Sequence, residues 1–310
     1  MSTKTPAKIR HRGAELAPFL ERLVERYHRP DYLGSDPLAL VHEFSPPDDR
    51  EIAALLAALL AYGNVKQIQR SLRTLFAAMG GHPGRFVRDF QPAEAAARLH
   101  GFRHRFTDAE DVLCLCWLLH QAMQRAGSLE AAFLIGDDPS EPDLTGTASR
   151  FVNYLAGMEF APHFDRERML ARSSFKHLLP RADRGSACKR IHLFLRWVIR
   201  PEDGIDLGLW RSISPGRLLM PVDTHVLRIG KHLGLLSTGA GSLRAAREIT
   251  EALRGADPED PVRFDFALCR IGILKACPTV SRLDSCRVCE LHDVCRKRKS
   301  LERAAKRKGY

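Results

Sequence analysis

Apolar residues recur at the three- and four-residue spacing of helices along most of the chain. Residues 14–27 (AELAPFLERLVERY) and 36–44 (DPLALVHEF) follow this spacing. Residues 48–79 predict a buried helix, a break at residues 62–64 and a second, amphipathic helix. Neither a sustained period-two alternation nor a repeat of fixed length is visible. The pattern therefore predicts an all-α fold.

Polar residues indicate where several of these helices begin. Asp48 and Asp49 supply an N-cap region for the first helix of the 48–79 pair. Thr107 with Glu110 forms a capping-box pattern before a long apolar stretch. The Pro- and Gly-rich residues 136–146 predict a loop between helices.

The chain of 310 residues is 45% hydrophobic, which is enough for one large domain or two medium ones. No run of 18 or more apolar residues occurs, so no membrane-spanning helix is expected. The basic N-terminus lacks the apolar stretch of a secretory signal. We therefore expect a cytoplasmic protein without a membrane partner.

The net charge of +11 is concentrated at the two ends of the chain. Residues 1–12 contain four basic and no acidic side chains, and residues 296–310 contain eight Lys or Arg and one Glu. These two segments account for the whole excess. Basic segments on a neutral body suit a polyanion such as nucleic acid, through phosphate contacts and counterion release. The alternative is two disordered segments that only increase solubility.

The eight cysteines fall into two groups. The first group lies in apolar or helical segments and comprises Cys114, Cys116, Cys188 and Cys269. Cys114 and Cys116 are flanked by Leu and Trp117, and we expect them to pack in the core rather than to bind a metal. The second group follows a C-x8-C-x2-C-x5-C pattern: Cys277, Cys286, Cys289 and Cys295. Without a secretion signal, clustered thiols predict a metal site rather than disulfides. Four thiols suit tetrahedral zinc and a 4Fe–4S cluster about equally.

Residues 221–236, PVDTHVLRIGKHLGLL, place Asp223 where a helix should begin. An aspartate at this position is often only an N-cap. The Val-Asp-Thr-His element also resembles the catalytic-aspartate segment of the helix-hairpin-helix (HhH-GPD) DNA glycosylases, which include endonuclease III and the adenine and 8-oxoguanine glycosylases. The resemblance implies a two-lobed, all-helical fold. It also implies that Asp223 stabilises charge at the sugar or activates the nucleophile.

Residues 264–277, FDFALCRIGILKAC, resemble the glycosylase helix that delivers the first cluster cysteine. Endonuclease III-like proteins end in an iron–sulfur loop, so the resemblance implies a 4Fe–4S cluster on Cys277, Cys286, Cys289 and Cys295. The first gap is two residues longer than the usual family spacing, and zinc is the alternative.

Residues 178–200, LLPRADRGSACKRIHLFLRWVIR, resemble the superfamily's hairpin, in which glycines let backbone amides approach a DNA phosphate. Only Gly185 remains of the paired glycines. We expect Arg181, Arg184 and Arg190 to contact DNA beside it. By the same resemblance, Lys189 at the start of the following helix is the nucleophile of bifunctional members; a solvent-facing lysine is the alternative.

Residues 55–72, LLAALLAYGNVKQIQRSL, resemble the glycosylase helix–turn–helix that inserts polar side chains into the DNA stack. Tyr62, Asn64 and Gln67 become candidates for contacting a flipped base or filling its place. A plain turn between helices is the alternative.

The resemblance covers residues 45–80 loosely and 175–295 better. Five segments are most similar to an uncharacterised bacterial family of the DUF2400 type beside these glycosylases: FLRWVIR (194–200), DLGLW (206–210), SISP (212–215), PVDTHV (221–226) and DPEDPVRFDFAL (257–268). The expected organisation is a basic arm at 1–12, N-terminal helices at 13–45 packing with the C-terminal lobe, a helical barrel with a modified hairpin at 46–234, a C-terminal lobe with the iron–sulfur loop at 235–295, and a basic tail at 296–310.

The resemblance implies a base-excision repair enzyme, a DNA glycosylase with possible AP-lyase activity. Its expected partner is double-stranded DNA with a damaged or flipped base. We expect the protein to be a monomer associated with the bacterial nucleoid. Two alternatives stay open: a non-catalytic iron–sulfur protein that binds nucleic acid, and a zinc-clipped helical interaction module.

Overall fold

A computed structural model describes residues 6–180, 186–237, 241–279 and 283–307. These residues are mostly helical, which confirms the predicted all-α class. Within them, the strands are confined to one short antiparallel hairpin, β1 (Arg103–His104) and β2 (Thr107–Asp108). No helix of the described chain is long and apolar enough to cross a membrane.

The chain divides into two compact units. The terminal unit comprises Met1–Tyr32 and Ser212–Tyr310, and the central unit comprises Leu33–Arg211. The terminal unit contains α1 (Pro6–Tyr27), α13 (Thr224–Leu233), α14 (Leu243–Leu253), α15 (Asp265–Ile273), α16 (Leu283–Arg287) and α17 (Arg296–Arg307). The central unit contains α2 (Leu38–Val41), α3 (Pro47–Leu59), α4 (Val65–Ala78), α5 (Pro83–Arg88), α6 (Pro92–Arg98), α7 (Ala109–Ala126), α8 (Leu129–Leu134), α9 (Thr145–Ala156), α10 (Arg166–Ala171), α11 (Ser173–Leu178) and α12 (Lys189–Ile199).

Helix α1 is central to the core of the terminal unit, where it packs against α14 and α15. Leu16, Leu20 and Leu23 are fully buried, at the four- and three-residue spacing that keeps them on one helix face. Two glycines permit close packing of α1 on the end of α14. A Cβ atom at Gly13 would lie 1.6 Å from the Ala252 carbonyl oxygen, and one at Gly255 would lie 1.9 Å from that of Arg10. Any side chain at either position would separate the two helices.

Helix α3 is the buried helix of the central unit, and it packs against α5 and α12. Every residue from Ile52 to Leu59 is buried, as expected for a helix that is apolar on all sides. The predicted break after it is confirmed. Asn64 caps α4, and its Oδ1 accepts a hydrogen bond from the Lys66 amide at 3.0 Å.

Two predicted helix starts are wrong in detail. Helix α3 has Pro46 in the cap position, without a side-chain cap. Asp49 instead accepts a hydrogen bond from the Gly84 amide at 2.8 Å and thereby ties α3 to α5. Helix α7 is capped by the Asp108–Asp111 box, one residue beyond the predicted pair. The predicted cap Thr107 is paired instead with the Tyr62 hydroxyl, at 2.7 Å.

The division into units falls at different residues from the boundaries expected from sequence. Helix α13, with Asp223 at its start, belongs to the terminal unit, whereas α12, with Lys189, belongs to the central unit. The described parts of both basic segments are helical: residues 6–12 form the start of α1, and Arg296–Arg307 form α17. Arg12 donates to the carbonyl oxygens of Leu233 (2.9 Å) and Val294 (2.8 Å), so this end of α1 is docked on its own unit.

Candidate catalytic aspartate and four-cysteine pocket

Asp223 is the N-cap residue of α13, as its position in the sequence predicted. Its backbone is extended, and its Oδ1 accepts a hydrogen bond from the Val226 amide at 2.7 Å. Val222 and Val226 on either side are buried, while Asp223 itself is half-buried. The cap therefore fixes one carboxylate oxygen and leaves the side chain partly accessible.

The second oxygen of Asp223 faces helix α15. The thiol of Cys269, near the middle of α15, donates to Asp223 Oδ2 with a sulfur–oxygen distance of 3.3 Å. The sequence assigned no role to Cys269. The two carboxylate oxygens are thus held by two different helices, and each retains acceptor capacity because a carboxylate oxygen has two lone pairs.

Helix α13 also contacts the first cysteine of the four-cysteine pattern. Arg228 Nη1 donates to the Cys277 carbonyl oxygen at 2.6 Å and lies 3.8 Å from Cys277 Sγ. His232, one turn further along, places Nδ1 3.7 Å from the same sulfur. A single helix therefore begins with the candidate catalytic carboxylate and contacts the cysteine segment with two of its later side chains.

The four cysteines of this pattern line one pocket. Its remaining wall includes the apolar side chains of Ile229, Leu233, Ile271 and Leu291. Two histidines, His232 and His292, also line it. Burial raises the pKa of Cys277 and Cys286, and it raises that of Cys289 to about 11. The Arg228 guanidinium opposes this shift at Cys277. These three thiols are therefore protonated at neutral pH, and a metal group would have to displace their protons.

The donor chemistry of the pocket fits a metal group, although its side chains do not form a finished single-ion site. Across the described ranges, no group of three or more His, Cys, Asp or Glu side chains is arranged to hold one metal ion. Four thiols in an apolar setting are the ligands of both structural zinc and iron–sulfur clusters. The cysteine pattern found in the sequence thus corresponds to one place in the structure.

Lys189 is the first residue of α12, as predicted, and it is half-buried. It follows Cys188, whose backbone is left-handed with φ +43° and whose thiol donates to the Pro180 carbonyl oxygen at 3.4 Å. The expected phosphate contacts Arg181, Arg184 and Gly185 lie outside the described residues.

Arg190 requires a correction, because its side chain is not presented to a ligand. It is 8% exposed, and its guanidinium donates to the carbonyl oxygens of Leu59 and His177. Burial lowers its pKa to about 10. The position could have been anticipated, since Arg190 lies four residues before Phe194 and seven before Trp197, both buried. It shares the buried face of α12 and joins that helix to α3 and α11.

Tyr62, in the turn between α3 and α4, is less accessible to a ligand than its position in the sequence suggested. The Tyr62 hydroxyl lies within hydrogen-bond distance of Thr107 Oγ1 and, at 3.1 Å, of the His104 carbonyl oxygen. Asn64 is exposed but serves as the cap of α4, and Gln67 is exposed on the first turn of that helix. Of the three predicted contacts, Gln67 and Asn64 reach the surface, whereas Tyr62 is half-buried and held by the β1–β2 hairpin.

Phe106, the aromatic residue at the tip of this hairpin, was not among the site residues predicted from the sequence. Its ring stacks on Tyr62 with centroids 5.0 Å apart, yet 44% of the residue is exposed. Arg103 and Arg105 beside it are also exposed. His177 packs edge-on against Phe106, and burial together with Arg190 and Arg105 lowers its pKa to about 4, so it is neutral at pH 7. The run Arg-His-Arg-Phe at 103–106 is the feature that could have indicated this surface.

A family model described as "Protein of unknown function (DUF2400)" matches residues 36–274, which is most of the chain. A search of curated proteins and a search of solved structures each returned no match.

Proposed function

The chain belongs to the DUF2400 family, and we propose that it is a DNA glycosylase of the helix-hairpin-helix type that removes a damaged base from double-stranded DNA. The observation that carries the proposal is the placement of Asp223. Its carboxylate is fixed by the Val226 amide and the Cys269 thiol, on the helix that contacts Cys277. The resemblance relates the Asp223 segment and the four-cysteine pattern only by their order along the chain. The helix that Asp223 begins and the segment that carries Cys277 are neighbours within the terminal unit.

Asp223 has the properties that a charge-stabilising carboxylate requires. The target base leaves the duplex stack, and cleavage of its glycosidic bond leaves positive charge on the sugar at C1′. A carboxylate whose orientation is already fixed stabilises that charge without reorganising during the reaction. The half-buried setting of Asp223 strengthens this electrostatic effect relative to bulk water.

Lys189 is the proposed nucleophile of an accompanying lyase step. Its neutral amine attacks C1′ as the glycosidic bond breaks; the base departs with the bonding electrons and takes a proton from solvent, while the amine releases one. Opening of the sugar ring then breaks the C1′–O4′ bond, O4′ takes a proton, and the C1′–nitrogen bond becomes a Schiff base. Loss of a C2′ proton from this Schiff base expels the 3′-phosphate and breaks the C3′–O bond. The half-buried position of Lys189 at the first turn of α12 agrees with this role.

The four-cysteine pocket is the proposed site of a 4Fe–4S cluster held by Cys277, Cys286, Cys289 and Cys295, with zinc as the alternative. When bound, such a group supplies cross-links that fix the segment carrying these cysteines. Cys295 directly precedes α17, so the same cross-links anchor that helix. Helix α17 exposes six basic side chains, which suit the phosphates of DNA: Arg296, Lys297, Lys299, Arg303, Lys306 and Arg307.

A base-release screen tests the proposal. Duplexes carrying single damaged or mismatched bases are incubated with excess protein, and free base is measured by mass spectrometry. We expect release of the base from at least one duplex. We also expect borohydride to trap a covalent protein–DNA complex with the parent protein and not with Lys189→Gln. Trapping that survives Lys189→Gln would move the nucleophile, with Lys176 next to be tested. Tight binding without release from any duplex would instead identify a non-catalytic nucleic-acid-binding protein.

A further inference from the structure

We propose that Cys269 is a positioning residue for the Asp223 carboxylate, an inference that rests on the proposed function. Cys269 is half-buried on α15, and its Sγ lies 3.3 Å from Asp223 Oδ2. The two residues are 46 positions apart in the sequence, so the pairing exists only in the folded terminal unit.

The close approach of α13 and α15 makes this contact possible. The two helices pack directly, and Gly272 on α15 admits the His225 side chain of α13. A Cβ atom at Gly272 would lie 2.6 Å from His225 Nδ1 and would force the helices apart. The glycine therefore keeps Cys269, one turn earlier on α15, within hydrogen-bond distance of Asp223.

A thiol suits the task of orienting a reactive carboxylate. The cap hydrogen bond holds Oδ1, while the side chain still needs a second contact to fix the plane of the carboxylate. A thiol is a weak donor, so it sets the direction of Oδ2 while drawing little of its charge. A cation at this point would compete with the developing charge on the sugar, whereas an uncharged donor would not.

Packing is the competing explanation, because Cys269 also borders the apolar core of the terminal unit. Free cysteines commonly behave as small apolar residues. The two explanations predict different results for substitution. A packing residue tolerates Ala better than Ser, whereas a positioning residue is replaced functionally by Ser, which retains a donor, and not by Ala.

The experiment compares Cys269→Ala, Cys269→Ser and Cys116→Ala as holoproteins. Single-turnover base release and duplex Kd are measured for each. Cys116, fully buried on α7, controls for the loss of a core thiol. We expect Cys269→Ala to release base roughly 10-fold more slowly at unchanged Kd. We expect Cys269→Ser to remain within about 3-fold of the parent rate, and Cys116→Ala to keep that rate. An unchanged rate in Cys269→Ala, or a Cys269→Ser variant as slow as Cys269→Ala, would overturn the inference.

A second measurement does not depend on activity. The S–H stretching band of Cys269 is isolated as the infrared difference between the parent protein and Cys269→Ala, and is followed in Asp223→Asn. Replacing the charged acceptor by a neutral amide should move the band to higher frequency, because the hydrogen bond weakens. A band that does not move overturns the inference and leaves the proposed function intact. An inactive parent protein whose band does move overturns the proposed function and supports the hydrogen bond.

Discussion

Arg228 Nη1 donates a hydrogen bond to the Cys277 carbonyl oxygen at 2.6 Å, and the same nitrogen lies 3.8 Å from Cys277 Sγ. Asp223 caps the helix that carries Arg228. Helix α13 therefore connects the candidate catalytic carboxylate to the four-cysteine pocket by rigid backbone. A change in how the cysteine segment is held will act on α13 through this arginine.

Arg228→Met should weaken retention of the metal group, because the substitution removes a hydrogen bond and a positive charge beside a thiolate ligand. Loss of such an outer contact commonly costs 10- to 100-fold in metal affinity. Iron, sulfide and zinc contents and the rate of loss to a chelator measure the effect. Lys231→Met, an exposed position on the same helix, is the matched control. Equal metal retention in both variants would show that Arg228 supports only the backbone.

Neutralising exposed basic residues of α17 should reduce the salt dependence of DNA binding. Each lost phosphate contact lowers the slope of log Kd against log salt by about 0.9. The double variant Lys299→Gln, Arg303→Gln should therefore flatten the slope by up to about 2. Arg298→Gln is the control, since Arg298 is already paired with Glu302 at 2.7 Å. A slope unchanged by the double variant would assign α17 no part in binding.

Phe106→Ala should weaken binding to a duplex that contains an unpaired base, because the exposed ring offers a stacking surface beside two arginines. Stacking of a base on an aromatic side chain contributes about 1–3 kcal/mol, so we expect a loss of roughly 10-fold or more. Phe106→Trp should retain affinity. Ile135→Ala removes another exposed apolar side chain of the central unit and should have no effect. Equal affinities for all three variants would exclude stacking at Phe106.

The raised pKa of Glu51 predicts that the free energy of unfolding depends on pH. Burial raises its pKa to about 7, the Glu130 carboxylate adds to the shift, and the hydrogen bond from Trp210 Nε1 at 2.5 Å opposes it. The folded state thus binds a proton more tightly than the unfolded chain, and stability falls as the pH rises from about 4.5 through 7. Glu51→Gln should remove this fall and stabilise the protein at pH 8 by roughly 2–3 kcal/mol. Denaturant unfolding at pH 5 and pH 8 measures both effects. Destabilisation of Glu51→Gln at pH 8 would contradict the argument.

Local patterns in the sequence predicted the features that depend on neighbouring residues. The break between α3 and α4, the cap at Asp223 and the helix start at Lys189 are all confirmed, since spacing and cap chemistry determine them within a few positions. The cap of α7 was displaced by one residue because Thr107 and Asp108 can both cap, and the Tyr62 hydroxyl engages Thr107.

Contacts between distant segments could not be predicted in this way. Nothing within the sequence near Cys269 indicates that its thiol faces Asp223, since α13 and α15 meet only through the packing of the terminal unit. The burial of Arg190 is an intermediate case. Its helix face was visible in the sequence, but the carbonyl oxygens of Leu59 and His177 that accept its hydrogen bonds come from elsewhere in the chain.

The most direct test of the central claim is single-turnover base release by Asp223→Asn, measured with duplex Kd and thermal stability on the same preparation. Asn caps a helix as well as Asp, so α13 and binding should be unchanged. The negative charge that would stabilise the sugar is lost, so base release should slow by roughly 100-fold or more. Full activity in Asp223→Asn would reduce Asp223 to a helix cap and contradict the account.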